Sequence, residues 1–291
     1  MANTLDIPLH VKYIQSLGEN KDDLVYHMTA HLRMNADALD RDAMIDFVMS
    51  CWDEEAGGFG SHPDHDAHLL STLSAIQILT IQGATDRLDV PRVTKFILSL
   101  QQESGIFSGD QWGEIDTRFL FYVEKTVGYL RKCRNFDGGF GAREGAESHA
   151  AQVYVCVGAL ALLDRLDEID QETLGWWLSE RQLPNGGLNG RPEKLEDVCY
   201  SFWVLSSLCT LNKVAWINSD KLIEFILSAQ DFEHGGIADR PGDQADVFHT
   251  NFGLAGLSLL GYPGLEDLDP LIESLGLRKG WTALPRQASC M

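Results

Sequence analysis

Phe136-Asp137-Gly138-Gly139-Phe140-Gly141 (FDGGFG) is one of five glycine turns that decide the fold. The others are Glu55–Gly60 (EAGGFG), Glu103–Gly109 (ESGIFSG), Pro184–Gly190 (PNGGLNG) and Glu233–Asp239 (EHGGIAD). Their first glycines, Gly57, Gly105, Gly138, Gly186 and Gly235, stand 48, 33, 48 and 49 residues apart. A near-fixed period of this length marks a repeat architecture. A Cys or Gln precedes each turn, at Cys51, Gln101, Cys133, Gln182 and Gln230. This places Cys51 and Cys133 in a repeated slot as buried helix-end thiols.

The segments between turns have helical period. Val93, Phe96, Ile97 and Leu100 fall at i, i+3, i+4 and i+7, as do Val153, Cys156, Val157 and Leu160. Leu222, Phe225, Ile226 and Ala229 repeat the pattern. Each full repeat holds two helices. Those following a turn, such as HLLSTLSAIQIL and HAAQVYVCVGALALL, are nearly uncharged and read as an inner ring; those preceding one, such as VPRVTKFILSLQQ, are amphipathic and read as an outer ring. Helix pairs at a fixed period stack into a solenoid or close into a ring. The expected fold is all-α, a single α/α toroid over residues 1–291.

The chain has 291 residues, 44% hydrophobic and 23% charged, with a net charge of −20. This is a globular composition. Such acidity repels a phosphate backbone and argues against nucleic acid as a partner. Any diphosphate would need a local basic pocket. No run approaches the roughly 18 apolar residues of a membrane span. The N-terminal stretch lacks a signal-peptide pattern, and the terminal ASCM is no prenylation box. Six scattered cysteines without a framework point to reduced thiols and a cytoplasmic location.

Ten residues beyond the second position of each turn stand His68, Asp116, His149, Asp197 and Asp246, each opening an apolar run. Capping explains Asp116 and part of Asp246. In a ring, however, equivalent helix starts converge at one end of a central cavity, where their free N–H groups favour anions. Asp197 and Cys199 share one such start, and His249 stands three residues past the next. Asp, Cys and His suit tetrahedral zinc with a fourth position open for chemistry. The neighbouring residues are basic and aromatic: Arg191 and Lys194 before the pair, Tyr200 and Trp203 after it. With His149, these form either a diphosphate pocket or a solvated loop whose charges pair locally (Arg191 with Glu193, Lys194 with Glu196) beside core aromatics.

The stretches WGEIDTRF (Trp112–Phe119), NFDGGFGAREGAESHA (Asn135–Ala150), Leu174–Leu205 and DRPGDQADVFHT (Asp239–Thr250) resemble protein prenyltransferase β subunits, most closely those acting on Rab GTPases. The resemblance runs from about Lys12 to about Asp269, and GRPEKLEDVCYSFW is its most specific segment. It implies an α/α toroid with a catalytic zinc on positions matching Asp197, Cys199 and His249. It implies a diphosphate pocket on those matching His149, Arg191, Lys194 and Tyr200. Trp203, Ala150 and Ala151 would border the lipid, and the position matching Arg118 faces the peptide end of the cavity. Asp246 joins the expected substrate-binding set. The position matching Asp239 helps to bind magnesium in the farnesyl relative. The resemblance further implies a heterodimer with a helical-repeat α subunit. That enzyme transfers geranylgeranyl from its diphosphate to C-terminal cysteines of Rab GTPases presented by an escort protein.

The chain also departs from these relatives. After Asp116 only TRFLFY precedes the next outer segment, and near Asn35 LRMN runs straight into ADALDRD, so two inner helices are expected to be truncated. Residues 270–291 form a divergent tail. Mis-splicing would leave this pattern, and a non-catalytic scaffold that docks the α subunit or Rab is the alternative reading. A terpenoid cyclase, another α/α toroid, would need an acidic motif such as D-x-D-D, which the sequence lacks.

Overall fold

Two kinds of helix alternate along the chain. The computed structural model describes residues 4–17, 40–102, 107–113 and 124–265. The described residues contain α1 (Ile7–Leu17), α2 (Arg41–Ser50), α3 (Leu69–Ile81), α4 (Val90–Ser99) and α5 (Glu124–Cys133). They continue with α6 (Ala150–Leu162), α7 (Gln171–Ser179), α8 (Tyr200–Thr210), α9 (Ser219–Ser228) and α10 (Val247–Leu259). Asp40, Asp89, Asp170 and Asn218 open α2, α4, α7 and α9, each accepting the N–H three residues on. These are the outer helices.

The inner starts use a tighter bond. His68, His149, Asp197 and Asp246 each accept the N–H two residues ahead, from Leu70, Ala151, Cys199 and Phe248. His68, His149 and Asp246 cap α3, α6 and α10 in this way, as expected in part for Asp246, while Asp197 makes the same bond to Cys199, the cap residue of α8. The bond also fixes where these side chains point. One hydrogen bond repeats between neighbours: the N–H groups of Leu69, Ala150 and Val198 donate to the carbonyls of Gly109, Gly190 and Asp239 at 2.7, 2.8 and 2.8 Å. The starts of α3, α6 and α8 are thus tied to the loop of the following repeat. Helix α8 lies between α6 and α10, and the largest core runs through these three helices and the outer helices behind them.

The turn glycines mark the contact with the next outer helix. A Cβ on Gly186 (φ +92°) would lie 2.3 Å from the Lys221 carbonyl of α9, and one on Gly235 (φ +85°) would lie 2.5 Å from the Leu9 carbonyl of α1. Helix α1 therefore stands against the last repeat where a further outer helix would stand. His10, fully buried, seals this closure: its Nδ1 accepts the Gly236 N–H at 2.8 Å, and its Nε2 lies 2.9 Å from Gln230 Oε1. The N-terminal helix closes the ring.

The turns themselves correct one expectation. The N–H groups of Gly60, Ser108, Gly141, Asn189 and Ala238 donate to the carbonyls of Cys51, Leu100, Cys133, Arg181 and Ala229. Those five acceptors share a slot, and Gln101, Gln182 and Gln230 sit one position later, with Trp52 and Arg134. Counting from the glycines hid the offset, because the first and last turns hold one more residue. Cys51 and Cys133 are buried as expected, and none of the five described cysteines forms a disulfide.

Helix α3 differs from the other inner helices. It carries no charged residue, yet Leu69, Leu70, Leu73 and Ile76 are only half-buried. Beside it opens a cavity of about 730 Å³ whose lining includes Val48, Cys51, Leu70, Ser74 and Ala75. Asp116, Arg118, Cys290, the shortened stretches near Asn35 and Tyr122, and the tail over 270–291 lie outside the described residues.

Candidate functional site

The starts of α8 and α10 bring Asp197, Cys199 and His249 together, with one ligand atom from each within 4.8 Å of the others. His249 Nε2 lies 3.2 Å from Asp197 Oδ1, while its Nδ1 is held 2.5 Å from Asp246 Oδ2. Asp246 accepts the N–H groups of Phe248 and His249 as well, so its carboxylate is fixed by the helix start. Asp246, expected among substrate-binding residues, stands behind His249 and orients it. A carboxylate behind a ligating imidazole is the common outer shell of a metal site.

Electrostatics favour a cation here. Burial, and then the Asp197 charge, push the Cys199 thiol far above its ordinary range. Burial opposes the charged form of His249, but its bonds to Asp197 and Asp246 outweigh burial and lift it to about 10. Burial likewise opposes ionisation of Asp197, and its bonds to His249 and Cys199 carry it below the usual carboxylate range. Without a metal, the imidazolium supplies the positive charge between two carboxylates. One soft sulfur, one nitrogen and one carboxylate in a half-buried cluster fit zinc and leave a coordination position open.

On the other side of α8, Tyr200 faces His149 across the repeat boundary, with its hydroxyl 3.3 Å from Nε2. His149 Nδ1 accepts the Ala151 N–H, so the proton of the neutral ring sits on Nε2. Burial, and then Arg191, hold the His149 pKa below its ordinary value, whereas burial pushes Tyr200 up to about 12. Both therefore present a hydrogen-bond donor near neutral pH. Tyr200 packs against Gly190, where a Cβ would fall 2.4 Å from the tyrosine hydroxyl. Arg191 pairs with Glu147 of the preceding repeat rather than with Glu193, and Lys194 is exposed.

Ala150 is fully buried, and Ala151 and Trp203 are half-buried. Trp203 belongs to an aromatic wall that the sequence reading did not single out. Its ring lies 5.5 Å from Tyr200 and 5.0 Å from Phe252; Phe252 stacks on Phe202 at 5.6 Å, and Phe202 meets Tyr154 at 5.4 Å. The signal was present: these aromatics fall five or six residues past His149, Asp197 and Asp246. The Asp239 carboxylate is paired with Arg240 at 2.8 Å. Arg118 lies outside the described residues.

Residues 3–274 match the prenyltransferase alpha-alpha toroid domain. The chain belongs to the protein prenyltransferase β-subunit family. It is 48% identical to the geranylgeranyl transferase type-2 subunit beta of Saccharomyces cerevisiae over 297 residues, covering 90% of this chain and 91% of the relative. It is 49% identical to geranylgeranyl transferase type-2 subunit beta 1 of Arabidopsis thaliana over 290 residues, covering 90% of each. The yeast alignment is longer than this whole chain while covering 90% of it, so it contains positions that this chain does not fill. A solved structure of Candida albicans protein geranylgeranyltransferase-I complexed with GGPP shares the fold, with a TM-score of 0.82 at 22% identity over 95% of this chain and 97% of that one.

Proposed function

We propose that this chain is the β subunit of a geranylgeranyltransferase that moves a geranylgeranyl group from its diphosphate to C-terminal cysteines of Rab GTPases. The observation that carries this reading is the convergence of Asp197, Cys199 and His249 beside the Tyr200–His149 pair, in a chain 48% identical to a type-2 β subunit. Asp197, Cys199 and His249 would hold zinc. Zinc supplies a Lewis acid that keeps an acceptor thiol deprotonated at neutral pH.

The rest of the chemistry falls to the protein's side chains. The acceptor sulfur bonds to C1 of the lipid as the C1–O bond breaks, and diphosphate leaves with the electron pair. Arg191 and Lys194 meet the charge that develops on the diphosphate, and His149 Nε2–H and the Tyr200 hydroxyl donate to its oxygens. Trp203, Phe202, Phe252 and Tyr154 give the isoprenoid an apolar wall, with Ala150 and Ala151 leaving room beside it. Arg118 would face the acceptor peptide. Magnesium at Asp239 would have to compete with Arg240.

The same reading makes residues 1–291 one toroid with a divergent tail from 270. It pairs the chain with an α subunit, receives the Rab through an escort protein and places the enzyme in the cytoplasm. Among the described residues, no helix is long and apolar enough to cross a membrane. The half-buried apolar faces of α3 and its adjoining cavity favour a second reading, a scaffold that docks the α subunit or Rab without holding lipid. Transfer of labelled geranylgeranyl to a Rab, with the α subunit and escort present, decides between them. Activity lost in Cys199→Ser with helicity retained supports the enzyme; no transfer by the unaltered chain leaves the scaffold.

A further inference from the structure

Four turn-and-loop units have one geometry. The loop between Gly60 and His68 has the same length as those from Gly141 to His149, Asn189 to Asp197 and Ala238 to Asp246. All four turn on a residue of positive φ at the same place: Asp64 (66°), Gly145 (78°), Glu193 (61°) and Gly242 (91°). Against this common frame one repeat departs. The slot before each turn holds Cys51, Leu100, Cys133, Arg181 and Ala229, and its ladder partner is Gly60, Ser108, Gly141, Asn189 and Ala238. Only the repeat carrying Arg191 and Lys194 fills this pair of slots with a cation and an amide.

The pair is buried, Arg181 at 6% and Asn189 at 2% exposure. Among the described residues, no carboxylate lies within ion-pair distance of Arg181. Its guanidinium sits 4.7 Å over the Trp177 ring, donates through Nε to the Trp177 carbonyl at 3.1 Å, and reaches Asn189 Oδ1 at 3.4 Å. With its oxygen so engaged, Asn189 turns its Nδ2 outward and donates to the Lys194 carbonyl at 2.9 Å. At Gly60 and Gly141 the matching loop carbonyl folds onto the glycine itself, where a Cβ would lie 2.4 Å from the His65 oxygen and 2.3 Å from the Ala146 oxygen. At Asn189 the side chain takes that space and holds the carbonyl off at hydrogen-bond length. The loop then brings Gly190 against Tyr200. An amide also meets the matching carbonyl in the third repeat, where Asn135 Nδ2 donates to Ala146 at 2.8 Å, so what is particular to this repeat is the buried cation and its asparagine in the turn. A buried cation is costly without a carboxylate and points to a task in that repeat.

We propose that Arg181 and Asn189 are positioning residues that set the 190–196 loop, and thereby the grip of Arg191 and Lys194 on the lipid diphosphate. This rests on the assignment of those two cations to the diphosphate. Arg181 orients the Asn189 amide, and Asn189 holds the Lys194 backbone away from the turn.

The test is a double-mutant cycle on the full chain with its α subunit, read by geranylgeranyl diphosphate affinity, zinc content and melting temperature. Asn189→Gly installs the residue that the first and third repeats use with the same loop. It should weaken geranylgeranyl diphosphate binding about tenfold and leave zinc content unchanged. In a Lys194→Ala background the same change should weaken it less than about twofold. Arg181→Cys, the residue of the first and third repeats, should match Asn189→Gly, and Arg181→Lys should recover only part of the loss. If Lys194→Ala weakens binding but Asn189→Gly does not, the positioning role is overturned and the pocket stands. Equal losses from Asn189→Gly with and without Lys194 overturn it too. Unchanged affinity in Lys194→Ala removes the pocket assignment and this role with it.

Discussion

His249 joins two jobs through its two ring nitrogens, and its environment makes metal uptake a proton-releasing event. Its pKa stands near 10 between two carboxylates, and the buried Cys199 thiol is raised further. Both must lose a proton to act as ligands. Zinc affinity should therefore rise with pH, by up to about a hundredfold per unit when both protons leave, as competition with a zinc chelator between pH 6 and 8 would show. A rise of only about tenfold per unit would mean that one of the two residues does not bind the ion, and an apparent dissociation constant independent of pH would mean that neither does. Asp246→Asn should weaken zinc by about 10–100-fold without removing a ligand. The diphosphate residues follow different arithmetic. Lys194→Ala should cost about 1.5–3 kcal/mol of diphosphate binding, the range for charged hydrogen bonds, with zinc content unchanged. Arg191→Ala should cost toward the lower end of that same range of about 1.5–3 kcal/mol, because its guanidinium is already engaged by exposed Glu147. Calorimetric titration with geranylgeranyl diphosphate measures both; unchanged affinity in the two variants would take them out of the pocket.

At the scale of elements, the N-terminal helix offers a pH readout of ring closure. His10 accepts a backbone N–H at Nδ1, so the docked ring must be neutral with its proton on Nε2. Burial depresses its pKa, against the raising influence of the Gln230 bond and nearby Asp6. A depressed folded value means that the unfolded chain binds the extra proton first. Stability is then complete above about pH 6.5 and falls as pH drops below it. His149 shifts in the same direction, whereas His249 shifts upward, so its contribution is complete below about pH 6.5 and is lost between there and about 10. Melting temperatures should decline from about pH 6.5 to 5, and His10→Gln should flatten part of that decline. An unaltered slope in the variant would show that α1 is not held through the neutral imidazole. The repeat, the two helix types and the inner starts were legible because glycine spacing and N-cap chemistry are local. The closure by α1 was not, since nothing in IPLHVKYIQSL names a partner more than 200 residues away. The one-residue offset between Cys51 and Gln101 was hidden for a similar reason: only ladder hydrogen bonds reveal which turns hold an extra residue. The bond from Asp246 to His249 was not legible, because spacing locates a residue on a helix start but not the neighbour it bonds.

For the whole molecule, the question is whether a ring with shortened inner segments is complete. Inner helices in a closed repeat bury apolar faces against both neighbours, and α8 between α6 and α10 shows what that packing achieves. Helix α3 is as apolar as they are but keeps Leu69, Leu70, Leu73 and Ile76 half-exposed beside a cavity of about 730 Å³. In the sequence, the two stretches expected to be shortened, near Asn35 and Tyr122, flank the segment that contains α3, and the yeast alignment contains positions this chain lacks. Each large apolar side chain brought from water to full burial is worth about 1.5–3 kcal/mol, and these four are at most about a third exposed, so covering all four amounts to at most about 2–4 kcal/mol. For a chain of this size about 1 kcal/mol moves the midpoint by roughly 2–4 °C. A version carrying the corresponding inner segments of the yeast relative at both places should therefore melt about 5 °C higher with the α subunit present. It should also transfer geranylgeranyl to a Rab faster, because the ring would then enclose the lipid on every side. Side-by-side melting and transfer of a labelled lipid measure the two effects separately. Higher melting with equal transfer would confine the deficit to stability and leave the aromatic wall of α6, α8 and α10 sufficient for the lipid. Equal melting together with equal transfer would mean that α3 is covered in the assembled enzyme and that the shortened ring works as it stands.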